Sequence, residues 1–186
     1  MINSAMKKFV GTGLLSMSLA LGVAATAQAD LPSPLQSKVE NYKKKLSEWA
    51  ANPVVIKAIK ESNARSGLAS GMSNAKWDQL SEKDPIVAGF QSSEAGKIVS
   101  TWEQDKAISK LYLRDEKGNL VAASNNKPSL YNVSDRPVFI NGLKGPWAAA
   151  EVKPDPTTKI NSVQVSVPVL EGGKVIGVIQ TAVVAE

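Results

Sequence analysis

Residues 108–124 read Ile-Ser-Lys-Leu-Tyr-Leu-Arg-Asp-Glu-Lys-Gly-Asn-Leu-Val-Ala-Ala-Ser, and the fold follows from how this stretch is read. Residues 108–113 read as a strand and 120–124 as its return. Between them Asp115-Glu116-Lys117-Gly118-Asn119 is a turn, with Gly118 supplying the positive φ that such a turn needs. Toward the C-terminus, residues 125–145 are loop-rich with one helical turn, and Trp147 to Val152 reads as a third strand. Residues 162–169 alternate cleanly and place Val163, Val165, Val167 and Val169 on one inward face. Pro168 cannot donate to a ladder, so an edge or a bulge is expected there. Glu171-Gly172-Gly173-Lys174 is a tight hairpin turn, and the strand over 175–185 is apolar on both faces, hence central.

Toward the N-terminus the period changes. Residues 30–105 read as helical. Leu35, Val39, Tyr42, Leu46 and Trp49 recur at steps of four and three, which puts them on one helix stripe, with Lys43, Lys44 and Lys45 mostly off it. Asn52-Pro53 and Asp84-Pro85 each pair an N-cap with a proline at the first helical position. Gly67 and Gly71 mark a loop, and a short helix holds Trp77 and Leu80. Residues 86–102 form one helix, or two parted near Ser92-Ser93. The first 29 residues have a different character. Lys7 and Lys8 precede an apolar run from Phe9 to about Ala25, and Ala27-Gln28-Ala29 then offers small residues three and one before a cut. This is the pattern of a cleavable export signal, with cleavage after Ala29; the competing reading is an uncleaved anchor, which the short, Gly- and Ser-diluted run disfavours. The expected organisation is a leader over 1–29, then one domain over 30–186 made of a helical segment (30–105) and a sheet (106–186). A periplasmic location follows from the leader.

Composition removes several function classes. The chain has no histidine and no cysteine, so Ser-His-Asp and Cys-His arrangements, thiolate chemistry and Cys- or His-ligated metal sites are absent. No cofactor or metal is expected, and no enzyme. The formal charge is +5; Lys7 and Lys8 leave with the leader, which brings the balance to 20 basic against 17 acidic side chains. That excess is too weak and scattered for nucleic acid.

Three segments together resemble the Cache family of extracytoplasmic sensor domains, a PAS-like (PDC) fold, in its single-domain form. Residues 108–124 are similar to the opening hairpin of that family. Tyr131-Asn132-Val133-Ser134-Asp135-Arg136-Pro137-Val138-Phe139, followed by Gly142-Leu143-Lys144-Gly145, is similar to its Asp-Arg-Pro-Tyr-Phe loop and the short helix after it. Residues 167–178, from Val167-Pro168-Val169 through Gly177-Val178, are similar to its closing hairpin. The resemblance implies an α+β fold: a long N-terminal helix and further helices before a five-stranded antiparallel sheet, with a small-molecule pocket between one sheet face and the middle loop. It also implies a role in signal perception, with a membrane receptor or kinase as partner. Arg136 stands at the position of the family's motif arginine, where a guanidinium grips a carboxylate through two parallel hydrogen bonds. The alternative for Arg136 is an ion pair with Asp135 or Asp115 that braces the loop. Tyr131, Phe139 and Trp147 either wall the pocket or fill the core under the loop, and Tyr112 on the first strand joins them as a ligand candidate. Gln164, Ser166, Gln180 and Thr181 are polar residues on apolar strands; Ser166 and Thr181 are the ligand candidates among them, against water or plain exposure. The chain departs from the family at Val138, where an aromatic is common, and at Gln180-Thr181-Ala182, which lacks the acid that holds an amine. A simple carboxylate or a neutral ligand therefore fits better than an α-amino acid. The competing reading is a protein-interaction or homodimerisation module with a filled pocket, using the Leu35–Trp49 stripe, unless that stripe covers its own sheet.

Overall fold

The computed structural model describes residues 31–64 and 71–186; the leader, its cut after Ala29 and Gly67 lie outside the described residues. The helices begin where the sequence punctuates them. Helix α1 (Ser33–Ala50) buries Leu35, Val39, Tyr42 and Leu46, so the stripe covers its own domain. Trp49, the last member, is half-buried and stacks flat on Trp102, ring centroids 4.9 Å apart. Helix α2 (Pro53–Ala64) starts with Asn52 Oδ1 accepting from the Val54 amide at 2.9 Å. A short α3 (Asn74–Asp78) carries Trp77, and Asp84 caps α4 (Pro85–Ser92) by accepting from Ile86 N at 2.9 Å. Residues 85–102 form two helices: Ser93 ends α4 and its hydroxyl accepts from Gly96 N at 2.9 Å to open α5 (Glu94–Trp102). That junction is so tight that a Cβ on Gly96 would lie 2.3 Å from the Gln91 carbonyl oxygen.

The sheet is antiparallel throughout. Its strands are β1 (Ile108–Asp115), β2 (Leu120–Ala123), β3 (Ala148–Ala149), β4 (Lys153–Pro154), β5 (Asn161–Glu171) and β6 (Lys174–Val184), in the order β2-β1-β6-β5-β3 with β4 also on β5. The five-strand path is as expected, but of the strand expected over Trp147 to Val152 only Ala148–Ala149 forms, and a separate β4 follows it at Lys153–Pro154. After one further bond, Ala150 N to Gln164 O at 2.9 Å, the chain leaves β5 and rejoins it at Lys153. Pro154 and Pro156, having no N–H, keep that return short. Pro168 sits opposite Val178 of β6; β3 reaches only Val165 and Ser166, so no strand flanks Pro168 on its other side, and the register slips just beyond, between Val169 and Leu170. Gly118 has φ 82°, as the β1–β2 turn requires.

Alternation divides the sheet into two faces. Leu111, Leu113, Ile179, Val183 and the four β5 valines pack with α1 and α2. The opposite face carries Tyr112, Leu120 and Ala123 against α3 and α4, and Val178 against α6 (Pro137–Lys144). Residues 125–136 and 150–160 roof the rest of this second face. A run of amides ties the two faces together at the β1–β2 turn. Buried Asp115 accepts from Ser62 of α2 (3.0 Å) and from Asn119 Nδ2 (3.0 Å). Asn119 Oδ1 accepts from Asn132 Nδ2 (2.8 Å), and Asn132 N donates to Asn74 Oδ1 of α3 (2.8 Å).

Candidate functional site

Between the second sheet face and its roof lies a partly open cavity of about 470 Å³. Its floor is β1 and β6. Lys110, Tyr112 and Arg114 alternate onto this face of β1, and Gln180 stands beside Tyr112 on β6. Pro128, Leu130, Val133 and Val138 give it apolar walls, and Pro156 and Thr157 close the β4 side. Four cationic side chains line the cavity, Lys110, Arg114, Arg136 and Lys153, and among the described residues that line it none is a carboxylate.

The cations differ in their surroundings. Arg114 is 2% exposed, and its Nη1 and Nη2 donate to the Tyr131 and Leu130 carbonyls at 2.6 and 3.1 Å. Its Nε is buried without a partner. Burial, which penalises the charged form, lowers its pKa to about 10 despite opposing pulls from Tyr112, Asp115 and Tyr131; it stays protonated at neutral pH. Lys110 is ion-paired with Asp155, the two side chains being 9% and 0% exposed. Burial pulls the Lys110 pKa down, and Asp155 pulls it back only in part. Burial pushes the Asp155 carboxyl up, but Lys110 and the Thr158 and Thr157 amides outweigh it and hold it below the usual range. Lys110 Nζ and Arg114 Cζ each lie 5.6 Å from the Tyr112 ring centre, one on either side along the strand. The Tyr112 hydroxyl is buried with Thr157 against it but no well-formed hydrogen bond, and burial raises its pKa. Arg114 Nε and Tyr112 Oη are thus polar atoms buried beneath the cavity surface, outside the hydrogen bonds that hold the rest of the site.

Of the residues singled out from sequence, Arg136, Tyr112 and Thr181 line the cavity, and Tyr131, Trp147, Phe139 and Ser166 do not. Arg136 is at the rim: it is the residue before α6, exposed, with its Nε 3.4 Å from Asp135 Oδ1. Thr181 donates to the Lys110 carbonyl at 2.6 Å, which occupies its hydroxyl proton. The Tyr131 ring packs with Trp77 and Phe90, and only its carbonyl serves the site, through Arg114. Trp147, just ahead of β3, turns into the α1 core under Lys43. Phe139 fills the space under α6 with Val133 and Val178. Ser166 is buried against Gly142 of α6, its hydroxyl bare. Sequence reasoning passed over Lys110, Arg114 and Asp155. Their signal was period two: Lys110, Tyr112 and Arg114 share a strand face. Among the described residues no group of three acidic, histidine or cysteine side chains could hold a metal ion, and no helix is long and apolar enough to cross a membrane.

No family model matches the chain, and no curated protein does. Among solved structures it is similar to the sensor domain of the V. cholerae histidine kinase DctB, with TM-score 0.56 and 16% identity over 81% of this chain and 50% of that one. It is also similar to the ligand-binding domain of the Campylobacter jejuni chemoreceptor Tlp3 in complex with L-valine (TM-score 0.41, 13% identity, 82% of this chain, 64% of that one). A third is the ligand-binding domain of the Pseudomonas fluorescens chemoreceptor CtaA in complex with L-serine (TM-score 0.39, 14% identity, 82% and 54%). The chain thus spans about half the length of the DctB domain that it matches, and shares with it the mixed helix-and-sheet, Cache-type fold.

Proposed function

We propose that this chain is an exported, sensor-type Cache domain that binds a small anion, a carboxylate foremost, and does no chemistry on it. In this reading the protein works in the periplasm after removal of residues 1–29 and presents its ligand-bound state to a membrane receptor or kinase. The observation that carries the reading is the lining itself. Four cations and no acid face one hollow, and the innermost, Arg114, is buried with only neutral carbonyl oxygens as hydrogen-bond acceptors. A buried guanidinium whose hydrogen bonds go only to carbonyl dipoles gains a stronger, charge-assisted pair when a carboxylate reaches it. Arg136 and Lys153 at the rim steer anions inward, and the apolar wall receives an alkyl body.

The test is thermal denaturation of the leaderless chain against a panel of small carboxylates at fixed ionic strength, with sodium chloride as the control. A binder present at 100 times its Kd adds about 2.7 kcal/mol and a corresponding rise in Tm. Arg114→Met should erase that rise while the variant remains folded by circular dichroism. If no carboxylate moves the wild-type midpoint beyond the chloride control, the proposal fails.

A further inference from the structure

The four cavity cations are not equivalent, because one of them is already answered. Lys110 faces the hollow in front and Asp155 behind. Asp155 itself does not line the cavity and is 1% exposed. It is also immobilised. Its Oδ1 accepts from the Thr157 and Thr158 amides at 2.9 and 3.1 Å, and its Oδ2 accepts from Gln164 Nε2 at 3.2 Å. The Asp155 backbone closes the same turn, donating to Ile160 O and accepting from Lys159 N, both at 2.9 Å. The carboxylate therefore cannot swing away when a ligand enters. Arg114 has no carboxylate in contact: its hydrogen bonds go to neutral carbonyls, and Asp115 acts on it only through space. Arg136 and Lys153 are exposed and screened by solvent. Inside the cavity, then, Lys110 already has a carboxylate in contact and Arg114 has none.

We propose that Asp155 is an internal counter-ion that selects the ligand's charge: the cavity takes a monoanion with its carboxylate at Arg114, and excludes a second carboxylate at Lys110. The inference rests on the anion-binding reading above and deepens it. A dianion of the right length would bring its second carboxylate to Lys110 and against Asp155. Like charges at that range in a poorly screened interior cost a factor of about ten or more in affinity. Asp155 is a specificity-determining residue that acts through Lys110 and need not touch the ligand.

Valerate and glutarate differ by one carboxylate on the same carbon chain, and their affinities for the leaderless chain, measured by calorimetry at constant ionic strength, test the idea. The wild type should bind valerate about tenfold or more tighter than glutarate. Asp155→Asn keeps an Oδ1 to accept from Thr157 and Thr158 but frees Lys110, and should reverse the order. Lys110→Gln leaves the Asp155 carboxylate unbalanced and should weaken both ligands about tenfold. Combining Lys110→Gln with Asp155→Asn should restore valerate binding and the wild-type preference. This second pair of variants also decides the matter if Asp155→Asn alone does not fold. A wild type that prefers glutarate, an unchanged valerate-to-glutarate ratio in Asp155→Asn, or equal binding by Lys110→Gln and the double variant overturns the counter-ion role while leaving the anion site standing. Folded wild-type protein that binds neither compound nor any other small carboxylate overturns both.

Discussion

Trp77 offers the most direct measure of how the cavity roof is held. Its indole is fully buried, meets Phe90 edge-on at 5.7 Å and Tyr131 at 5.8 Å, and donates from Nε1 to the Pro128 carbonyl at 2.6 Å. Pro128 lines the cavity, so one side chain fills the core beneath the roof and pins its edge. An aromatic side chain of this kind buries about 150–250 Å², which at about 25 cal/mol per Å² is about 4–6 kcal/mol. Denatured chains already hide about 10–40% of such surface, and alanine keeps a little more, which leaves about 3–5 kcal/mol for Trp77→Ala. Trp77→Phe retains most of the packing and loses the hydrogen bond, a cost of about 1–2 kcal/mol. Urea unfolding followed by far-ultraviolet circular dichroism separates the two. With a slope of about 2 kcal/mol per molar, the alanine midpoint should fall by about 2 M and the phenylalanine midpoint by less than about 1 M. An alanine variant that loses less than about 1.5 kcal/mol, or a phenylalanine variant that loses as much as alanine, would refute the assignment of Trp77 as the roof's main anchor.

Three further outcomes follow from local geometry. Asp105 accepts from Lys45 Nζ at 2.7 Å, and that bond, then one from Tyr42, lowers its pKa from the ordinary 3.8 to about 2. A depressed carboxyl stabilises the fold above its unfolded value, so this contribution is intact above about pH 4 and is lost as pH falls toward 2. Asp105→Asn should flatten that part of the acid limb in urea midpoints taken between pH 5 and 2, by less than about 1 kcal/mol because both partners meet solvent; a limb identical to the wild type counts against the pair. At the α6–β5 contact, a Cβ on Gly142 would lie 2.3 Å from Ser166 Oγ, so Gly142→Ala should cost about 1–3 kcal/mol. Ser166→Ala, which deletes a buried hydroxyl without a partner, should be neutral or mildly stabilising. A clearly destabilised Ser166→Ala in thermal melts would mean that the hydroxyl is bonded after all.

What was legible in the chain is what local pattern controls. The alternating valines of β5 go inward, Gly118 takes its positive φ, and Asn52 and Asp84 cap the helices that they precede. The helix stripe also lands where its period puts it, with Leu35, Val39, Tyr42 and Leu46 under the sheet. The cavity was harder to foresee because loops decide which strand residues are buried. Nothing in the strand pattern itself buries Lys110 and Arg114; residues 125–136 and 150–160 do so by folding over them. Those loops have no hydrophobic period, so nothing local announces that they form a roof. The Asp-Arg-Pro motif was conspicuous, yet the turn into α6 leaves Arg136 outward on Asp135 while the silent Arg114 takes the interior position. Asp155, between two prolines, carries no local sign of a site, yet Lys110, Gln164 and two backbone amides converge on it.

The hydrogen-bonded run from Ser62 through Asp115, Asn119 and Asn132 to Asn74 has a mechanical consequence. It crosses the sheet at its end and joins α2 on one side to Asn132 and α3 on the other. Short polar side chains in series have little slack, and sliding either layer by even an ångström stretches several of these bonds at once. Shifting α2 against α3 therefore means breaking or stretching hydrogen bonds at the β1–β2 turn.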